Sequence, residues 1–283
     1  MWQSQRVIEI VVFLFGLVFG SFLNVCIRRL PRHESVVSPG SHCSVCQAPI
    51  RARDNIPVVS YLLLRGRCRW CGKRISPEYP LVELLTGALF LGCYWQFGVT
   101  IAGAKWTLFC AILLVLIFTD LHERILPNKV TYFGLAAGLA ISLFVPASDG
   151  LTRWLLHGRF WLEAAMPVAR LADSALGALV AGSLLWLFAE GYFRLRGREG
   201  MGLGDVKMMA MAGAFLGARG AIAMLMFGSL IGSLVGAIAI WGLGKGRDYE
   251  LPFGSFLGIA GIFLIFAGGP LFHWYLSASG LGH

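Results

Sequence analysis

Glu199-Gly200-Met201-Gly202-Leu203-Gly204-Asp205 runs directly into Val206-Lys207-Met208-Met209, and the fold class turns on this stretch. Three glycines in five residues precede a carboxylate that opens an apolar, helix-forming segment. Glycine permits φ > 0 and lets another chain come close. The apolar run Val206 to Leu216 spans about 16 Å as a helix, against a hydrocarbon core of about 30 Å. A helix that short cannot start at the membrane surface and cross alone. The Gly-rich segment must dip into the bilayer region, where non-helical backbone is tolerated only within protein or around a cavity. Asp205 then lies at or below the membrane surface, where a carboxylate is a functional hypothesis by default. One acid decides nothing, so a second is needed.

Composition supports a membrane setting. Of 283 residues, 57% are hydrophobic and only 14% charged, and the mean hydropathy is +0.71. These values belong to an all-α polytopic membrane protein. No cleavable signal peptide is expected, because Val7–Ile27 is too long for a signal core and leads into basic residues. The net charge of +9 sits between apolar segments and shows no aromatic-interleaved groove, so nucleic acid is excluded as a partner.

Apolar segments fall at Val7–Ile27, Pro80–Phe97, Ile101–Thr119, Val130–Val145, Leu171–Leu195, Val206–Leu216, Ala221–Leu243 and Phe253–Phe272. About eight transmembrane helices are therefore expected. Ten of the 24 Lys and Arg residues lie between Arg28 and Arg74, which places that loop in the cytoplasm by the positive-inside rule. Strict alternation then puts both termini outside. The expected organisation is a first transmembrane helix (1–27), a cytoplasmic four-cysteine loop (28–76) and a membrane-embedded remainder (77–283). Asp149–Ala169, with Trp154, Phe160 and Trp161, reads as an interfacial helix rather than a span. Gly16 with Gly20, Gly213 with Gly217, and Gly228-x-x-x-Gly232-x-x-x-Gly236 read as helix-packing motifs.

Two constellations carry chemistry. Cys43-Ser44-Val45-Cys46 is followed, after 21 intervening residues, by Cys68-Arg69-Trp70-Cys71. Each C-x-x-C aims two thiolates at one point, and two such knuckles complete a tetrahedral shell suited to a structural zinc ion. An iron–sulfur centre is the lesser option. Disulfides do not fit a reducing compartment. His42 is an alternative ligand beside four that suffice. Cys26, Cys93 and Cys110 lie within apolar runs and read as small buried hydrophobes.

The second constellation supplies the missing acid. Asp120 ends the apolar run Phe109–Thr119 and precedes Leu126-Pro127. Asp120 and Asp205 fall at the same ends of membrane segments. Two carboxylates sharing a site cannot both ionise cheaply, so the pair shares a proton. One member then activates water while the other polarises a carbonyl, which is aspartic-protease chemistry. The titration belongs to the pair, with no individual role assigned. Intramembrane acids also serve as structural partners or proton relays, so spacing alone leaves those readings open. Glu83 is a further candidate, read otherwise as the ion-pair partner of a loop arginine. Glu9, Asp173 and Glu190 lie near helix ends, within reach of the interface.

With these residues in place, the chain resembles the bacterial type IV prepilin leader peptidases, bifunctional peptidase/N-methyltransferases and GxGD-type intramembrane aspartyl proteases. The matching segments are Gly20-Ser21-Phe22-Leu23-Asn24-Val25, Arg29-Leu30-Pro31, both C-x-x-C pairs, Asn55-Ile56-Pro57, Ser60-Tyr61-Leu62, Tyr79-Pro80-Leu81-Val82-Glu83-Leu84, Asp120 with Leu126-Pro127, Gly202-Leu203-Gly204-Asp205-Val206-Lys207, and Pro252-Phe253-Gly254. The resemblance implies that Asp120 and Asp205 are catalytic, and that the N-terminal half transfers a methyl group from S-adenosylmethionine. Gly66 matches a glycine associated with methyl transfer, and its alternative reading is a tight turn. The chain departs from the family at His122 and Asn128, where aspartates are common.

The implied function is cleavage of the basic leader from prepilin and pseudopilin substrates in the bacterial inner membrane, followed by methylation of the new amino terminus. Glu78, Glu123 and Glu199 are the acids expected to meet the leader. The competing classes are an ion-coupled transporter relaying protons through Asp120 and Asp205, and a non-enzymatic assembly factor docking through its cysteine loop. A transporter should show inverted repeats and a midplane site, and neither is legible.

Overall fold

The computed structural model describes residues 2–146, 166–197, 201–242, 244 and 251–278. Most of the expected interfacial helix (149–165) lies outside the described residues, as does Glu199. The described residues are helical, with no strand beyond isolated bridges at His42–Pro49 and Arg67–Arg74. The helices are α1 (Trp2–Arg29), α2 (Val59–Leu63), α3 (Glu78–Phe97), α4 (Ile101–Glu123), α5 (Asn128–Ser142), α6 (Met166–Arg196), α7 (Leu203–Ala237) and α8 (Phe253–Ala278).

Among the described residues, five helices are long and apolar enough to cross a membrane: α1, α4, α6, α7 and α8. The eight expected segments differ from these five at α3, at α5 and at Gly217. Gly217 interrupts α7 with φ 79° and ψ 177°, a conformation essentially reserved for glycine. The arm from Leu203 to Leu216 is about 21 Å long, short of a full crossing. Among the described residues of the Gly-rich stretch, only Met201 and Gly202 are non-helical. Gly202 is extended and caps α7, whereas Gly204 already lies within the helix.

The chain divides into two compact units, Met1–Val115 and Leu116–His283. In the first, α1 and α3 cross at glycines. A Cβ on Gly16 would stand 2.7 Å from the Gly87 Cα, and one on Gly20 2.7 Å from the Glu83 Cα. Arg28 and Arg29 close the last turn of α1, where cations complement the helix dipole. Gly98 ends α3 with φ 66°, its N–H donating to the Tyr94 carbonyl at 2.8 Å.

In the second unit α7 is central, packed by α5, α6 and α8. Gly177 and Gly213 bring the backbones of α6 and α7 into direct contact, and the Ser174 hydroxyl donates to the Ala214 carbonyl at 2.8 Å. Gly228 and Gly232 receive Leu257 and Phe256 of α8. The packing role expected of Gly16, Gly20, Gly213, Gly228 and Gly232 is what the structure shows, whereas Gly217 breaks the helix it was expected to pack.

Candidate active site and cysteine cluster

Both expected acids lie in the second unit, buried and at helix termini. Asp120, 6% exposed, sits in the last turn of α4, and Asp205, 9% exposed, in the first turn of α7. The two carboxylates interact electrostatically. Leu126 links their surroundings: a Cβ on Gly204 would stand 3.1 Å from its Cβ, and one on Gly254 3.0 Å from its Cδ1 and 3.2 Å from Asp120 Oδ2. The two glycines beside the acids thus serve close approach, not left-handed backbone.

Sequence reasoning missed Ser255. Its backbone N–H donates to Asp120 Oδ2 at 2.7 Å, and its hydroxyl lies 2.9 Å from the same oxygen and 3.0 Å from the Ile117 carbonyl. Ser255 is 1% exposed and occupies the first turn of α8, where backbone N–H groups have no intrahelical acceptor. Asp120 satisfies one of them and places its charge at the favourable end of the helix dipole. The signal was Pro252-Phe253-Gly254, since the helix starts at Phe253, two residues before this serine.

The departures at His122 and Asn128 have local partners. His122 Nδ1 lies 2.7 Å from the Phe118 carbonyl. Asn128 Oδ1 accepts from Lys207 Nζ at 2.8 Å, and that ammonium lies over the Tyr132 ring at 5.5 Å.

The four cysteines of the loop gather in the first unit. Their sulfurs all lie within 4.8 Å of one another, with Cys43–Cys71 and Cys46–Cys68 each at 3.9 Å. Four thiolates about 2.3 Å from a zinc ion stand about 3.8 Å apart along each tetrahedral edge, so the donor set fits that metal. The knuckles are built alike. The Cys43 and Cys68 N–H groups donate to Ala48 and Lys73, and the Gln47 and Gly72 N–H groups return to Cys43 and Cys68. Gln47 and Gly72 hold equivalent positions with φ 57° and 69°. Backbone N–H groups of Cys46 and then Val45 pull the Cys43 thiol down to about 6, and those of Cys71 and Trp70 lower Cys68. These two shifts favour the thiolate a metal requires, whereas burial and the neighbouring thiols push Cys46 up to about 11. His42 is outside the cluster, with Nδ1 3.0 Å from the Gly40 carbonyl.

A cavity of about 540 Å³ opens in the same unit, lined among others by Asn24, Arg28, Tyr61, Arg69, Tyr79 and Glu83. Glu83, 7% exposed, accepts the Val58 N–H at 2.7 Å rather than an arginine. The neighbouring acids hold arginines: Asp54 takes Arg69 bidentately, which holds its carboxyl below the usual range, and Glu78 pairs with Arg28 at 3.3 Å. Gly66 has φ 64°, and its N–H donates to the Tyr61 carbonyl at 2.8 Å. A Cβ there would stand 2.9 Å from the Tyr61 ring. Gly66 is therefore a turn residue that abuts a wall of the cavity. Asp173, 7% exposed, is buried instead of reaching an interface, whereas Glu190 pairs with Arg194 at 2.7 Å and Glu9 accepts from Trp95 Nε1 at 3.3 Å.

Fold and site together define a helical membrane protein with a buried carboxylate pair in one compact unit and a four-thiol cluster in the other. Residues 14–97 match the family described as Bacterial Peptidase A24 N-terminal domain, and residues 107–240 the Type IV leader peptidase family. The chain is similar to the "Prepilin leader peptidase/N-methyltransferase" of Xanthomonas campestris pv. campestris, 32% identical, covering 94% of this chain and 93% of the relative. Proteins of the same description from Aeromonas hydrophila and Neisseria gonorrhoeae are 34% and 35% identical, the first covering 94% and 93% of the two chains and the second 93% of each. No solved structure matches significantly. The chain belongs to the type IV leader peptidase family.

Proposed function

We propose that this chain is a bacterial inner-membrane prepilin peptidase that cleaves the leader from prepilin-like substrates and N-methylates the new amino terminus. The observation that carries this reading is the buried, interacting pair Asp120 and Asp205 in a chain whose relatives are named for both activities.

Asp120 and Asp205 are the catalytic pair in this proposal. Ser255 places two donors on Asp120 Oδ2, so that oxygen acts as an acceptor and the shared proton belongs between the other Asp120 oxygen and Asp205. The ionised side removes a proton from water as it attacks the scissile carbonyl carbon. The protonated side donates to the carbonyl oxygen, giving a tetrahedral diol. Collapse breaks the C–N bond, and the leaving amine takes a proton from the pair. Ser255 acts through Asp120 and is a positioning residue.

Methyl transfer belongs to the first unit. The cavity walls suit S-adenosylmethionine: Lys73 and Arg74 for its carboxylate, and Tyr61 and Tyr79 for its base. The cofactor supplies an electrophilic methyl group when bound. Zinc held by Cys43, Cys46, Cys68 and Cys71 has a closed thiolate shell and serves structure. Eight crossings, with α3, α5 and both arms of α7 included, and with the cysteine loop on the cytoplasmic side, complete the reading. The test is intact mass of a prepilin co-expressed with the enzyme, which reports leader loss and methyl gain together. A prepilin that keeps its leader beside a stably expressed enzyme refutes the proposal.

A further inference from the structure

The cysteine loop carries an apolar cluster of which only Ile56 also borders the cavity described above; Val59, Leu62 and Leu63 have no part in it. Ile56 is 48% exposed, Val59 47%, Leu62 67% and Leu63 77%. Four large apolar side chains within eight residues form a patch that a water-facing loop does not ordinarily carry. Arg51 and Arg53 precede the cluster and Arg65 and Arg67 follow it, all four exposed.

The depth of the cluster is fixed by its contacts with the membrane helices. Glu83 accepts the Val58 N–H at 2.7 Å, and the Glu83 Cα lies against Gly20 of α1. Val58, Glu83 and Gly20 therefore share one level. The polar end of the two helices is marked by the Arg28–Glu78 ion pair. Glu78 precedes Glu83 by five residues, about 7.5 Å along the helix axis. Phe22, Leu81 and Leu84, exposed by 45%, 48% and 43%, show that the apolar surface of α1 and α3 already begins between those two levels. The turn at Val58 thus lies within the roughly 5–10 Å depth that interfacial segments occupy.

The backbone of the segment meets the condition for that depth, namely internal satisfaction of its polar groups. Val59 donates to Pro57, Ser60 to Ile56, Leu62 to Val58, Leu64 to Ser60 and Arg65 to Leu62. The Ile56 N–H donates to Ser60 Oγ at 3.0 Å, and that hydroxyl donates to Arg53 O at 3.1 Å. The geometry is held against local preference. Val58, a β-branched residue, has φ 61° and ψ −49°, and the 2.6 Å bond from Val59 N–H to Pro57 O closes a strained γ-turn around it.

We propose that Ile56, Val59, Leu62 and Leu63 form an interfacial wedge seated in the lipid leaflet in which α1 ends, with the flanking arginines at the level of its anionic headgroups. The wedge anchors the cysteine loop to the bilayer at a second place, besides its covalent ends in α1 and α3. The occupant of the patch is lipid, as the shared level with Phe22 and Leu81 and the arginines on both sides require.

The test uses the full-length enzyme in bilayers containing phosphatidylglycerol, with a benzophenone amino acid replacing Leu63 and, separately, Leu62. Phe22 serves as the lipid-facing reference and Val37, 86% exposed, as the aqueous one. Zinc content confirms that each variant is folded. The expected result is phospholipid adducts at positions 62 and 63, within about twofold of the yield at position 22, and none at position 37. Absence of lipid adducts at both positions, with adducts at position 22, overturns the proposal. Preferential adducts to a co-reconstituted prepilin also overturn it, and assign the patch to the substrate helix.

Discussion

Ser255→Ala isolates one of the two bonds that hold Asp120. The variant keeps the backbone N–H at 2.7 Å and removes the hydroxyl at 2.9 Å. A hydrogen bond to a charged group contributes about 1.5–3 kcal/mol. The serine hydroxyl has a single hydrogen between two acceptors, Asp120 Oδ2 and the Ile117 carbonyl at 3.0 Å. The lower end of that range therefore applies, and about 1.4 kcal/mol corresponds to a tenfold change in rate. The expected result is a kcat for leader cleavage reduced about tenfold at unchanged KM. Ser255→Thr restores the hydroxyl and should restore kcat. The assay is leader cleavage by purified enzyme in detergent or proteoliposomes across pH, with membrane level measured alongside. A Ser255→Ala enzyme with kcat within about twofold of the parent at normal membrane level would refute the positioning role.

Asp120→Asn and Asp205→Asn should each abolish leader cleavage at normal membrane level, since the pair needs a shared proton and both carboxylates; intact mass of co-expressed prepilin decides it. Replacing Cys43 and Cys46 together by Ser should remove the roughly one zinc per chain and make the loop protease-sensitive; elemental analysis that finds iron, or metal unchanged in the double variant, contradicts this. Gly66→Val forces a β-branched residue to positive φ and pushes on Tyr61, so processed but unmethylated pilin with normal zinc is expected. Fully methylated pilin from that variant would exclude Gly66 from the methyl-transfer site. Gly217→Ala should lower thermal stability by about 1–3 kcal/mol, because only glycine adopts its backbone without strain; an unchanged unfolding temperature would count against the interruption in α7.

The burial of the two acids and the gathering of the four cysteines were legible in residue type and spacing. A carboxylate inside an apolar run and a doubled C-x-x-C have few inexpensive explanations. The spaced glycines were legible as packing for the same reason, since nothing but glycine lets Gly177 meet Gly213. Ser255 was not legible, because its role depends on α8 starting beside the end of α4, a contact 135 residues apart in sequence. Glu83 was read through charge alone, and its partner proved to be a backbone N–H that only the turn at Val58 presents. The extent of the Gly-rich segment was overread. Glycine spacing suggests non-helical backbone up to Asp205, but Gly204 is helical and owes its identity to the room Leu126 needs.

The paired knuckles also have a topological consequence. Metal bound to them turns the chain between Cys46 and Cys68 into a ring, and closure of a ring of this size removes about 3 kcal/mol of conformational entropy from the open chain. The wedge is the far arc of that ring, and the Val58–Glu83 bond fastens the arc to α3 opposite the metal. With the Asp54–Arg69 pair and the Tyr61 hydroxyl donating to the Ile75 carbonyl, the loop is a hoop tied at several points, thiolates and a carboxylate among them. Opening the thiolate tie or the Glu83 tie loosens the arc, so metal affinity and membrane seating are thermodynamically linked, and each strengthens the other by the same factor.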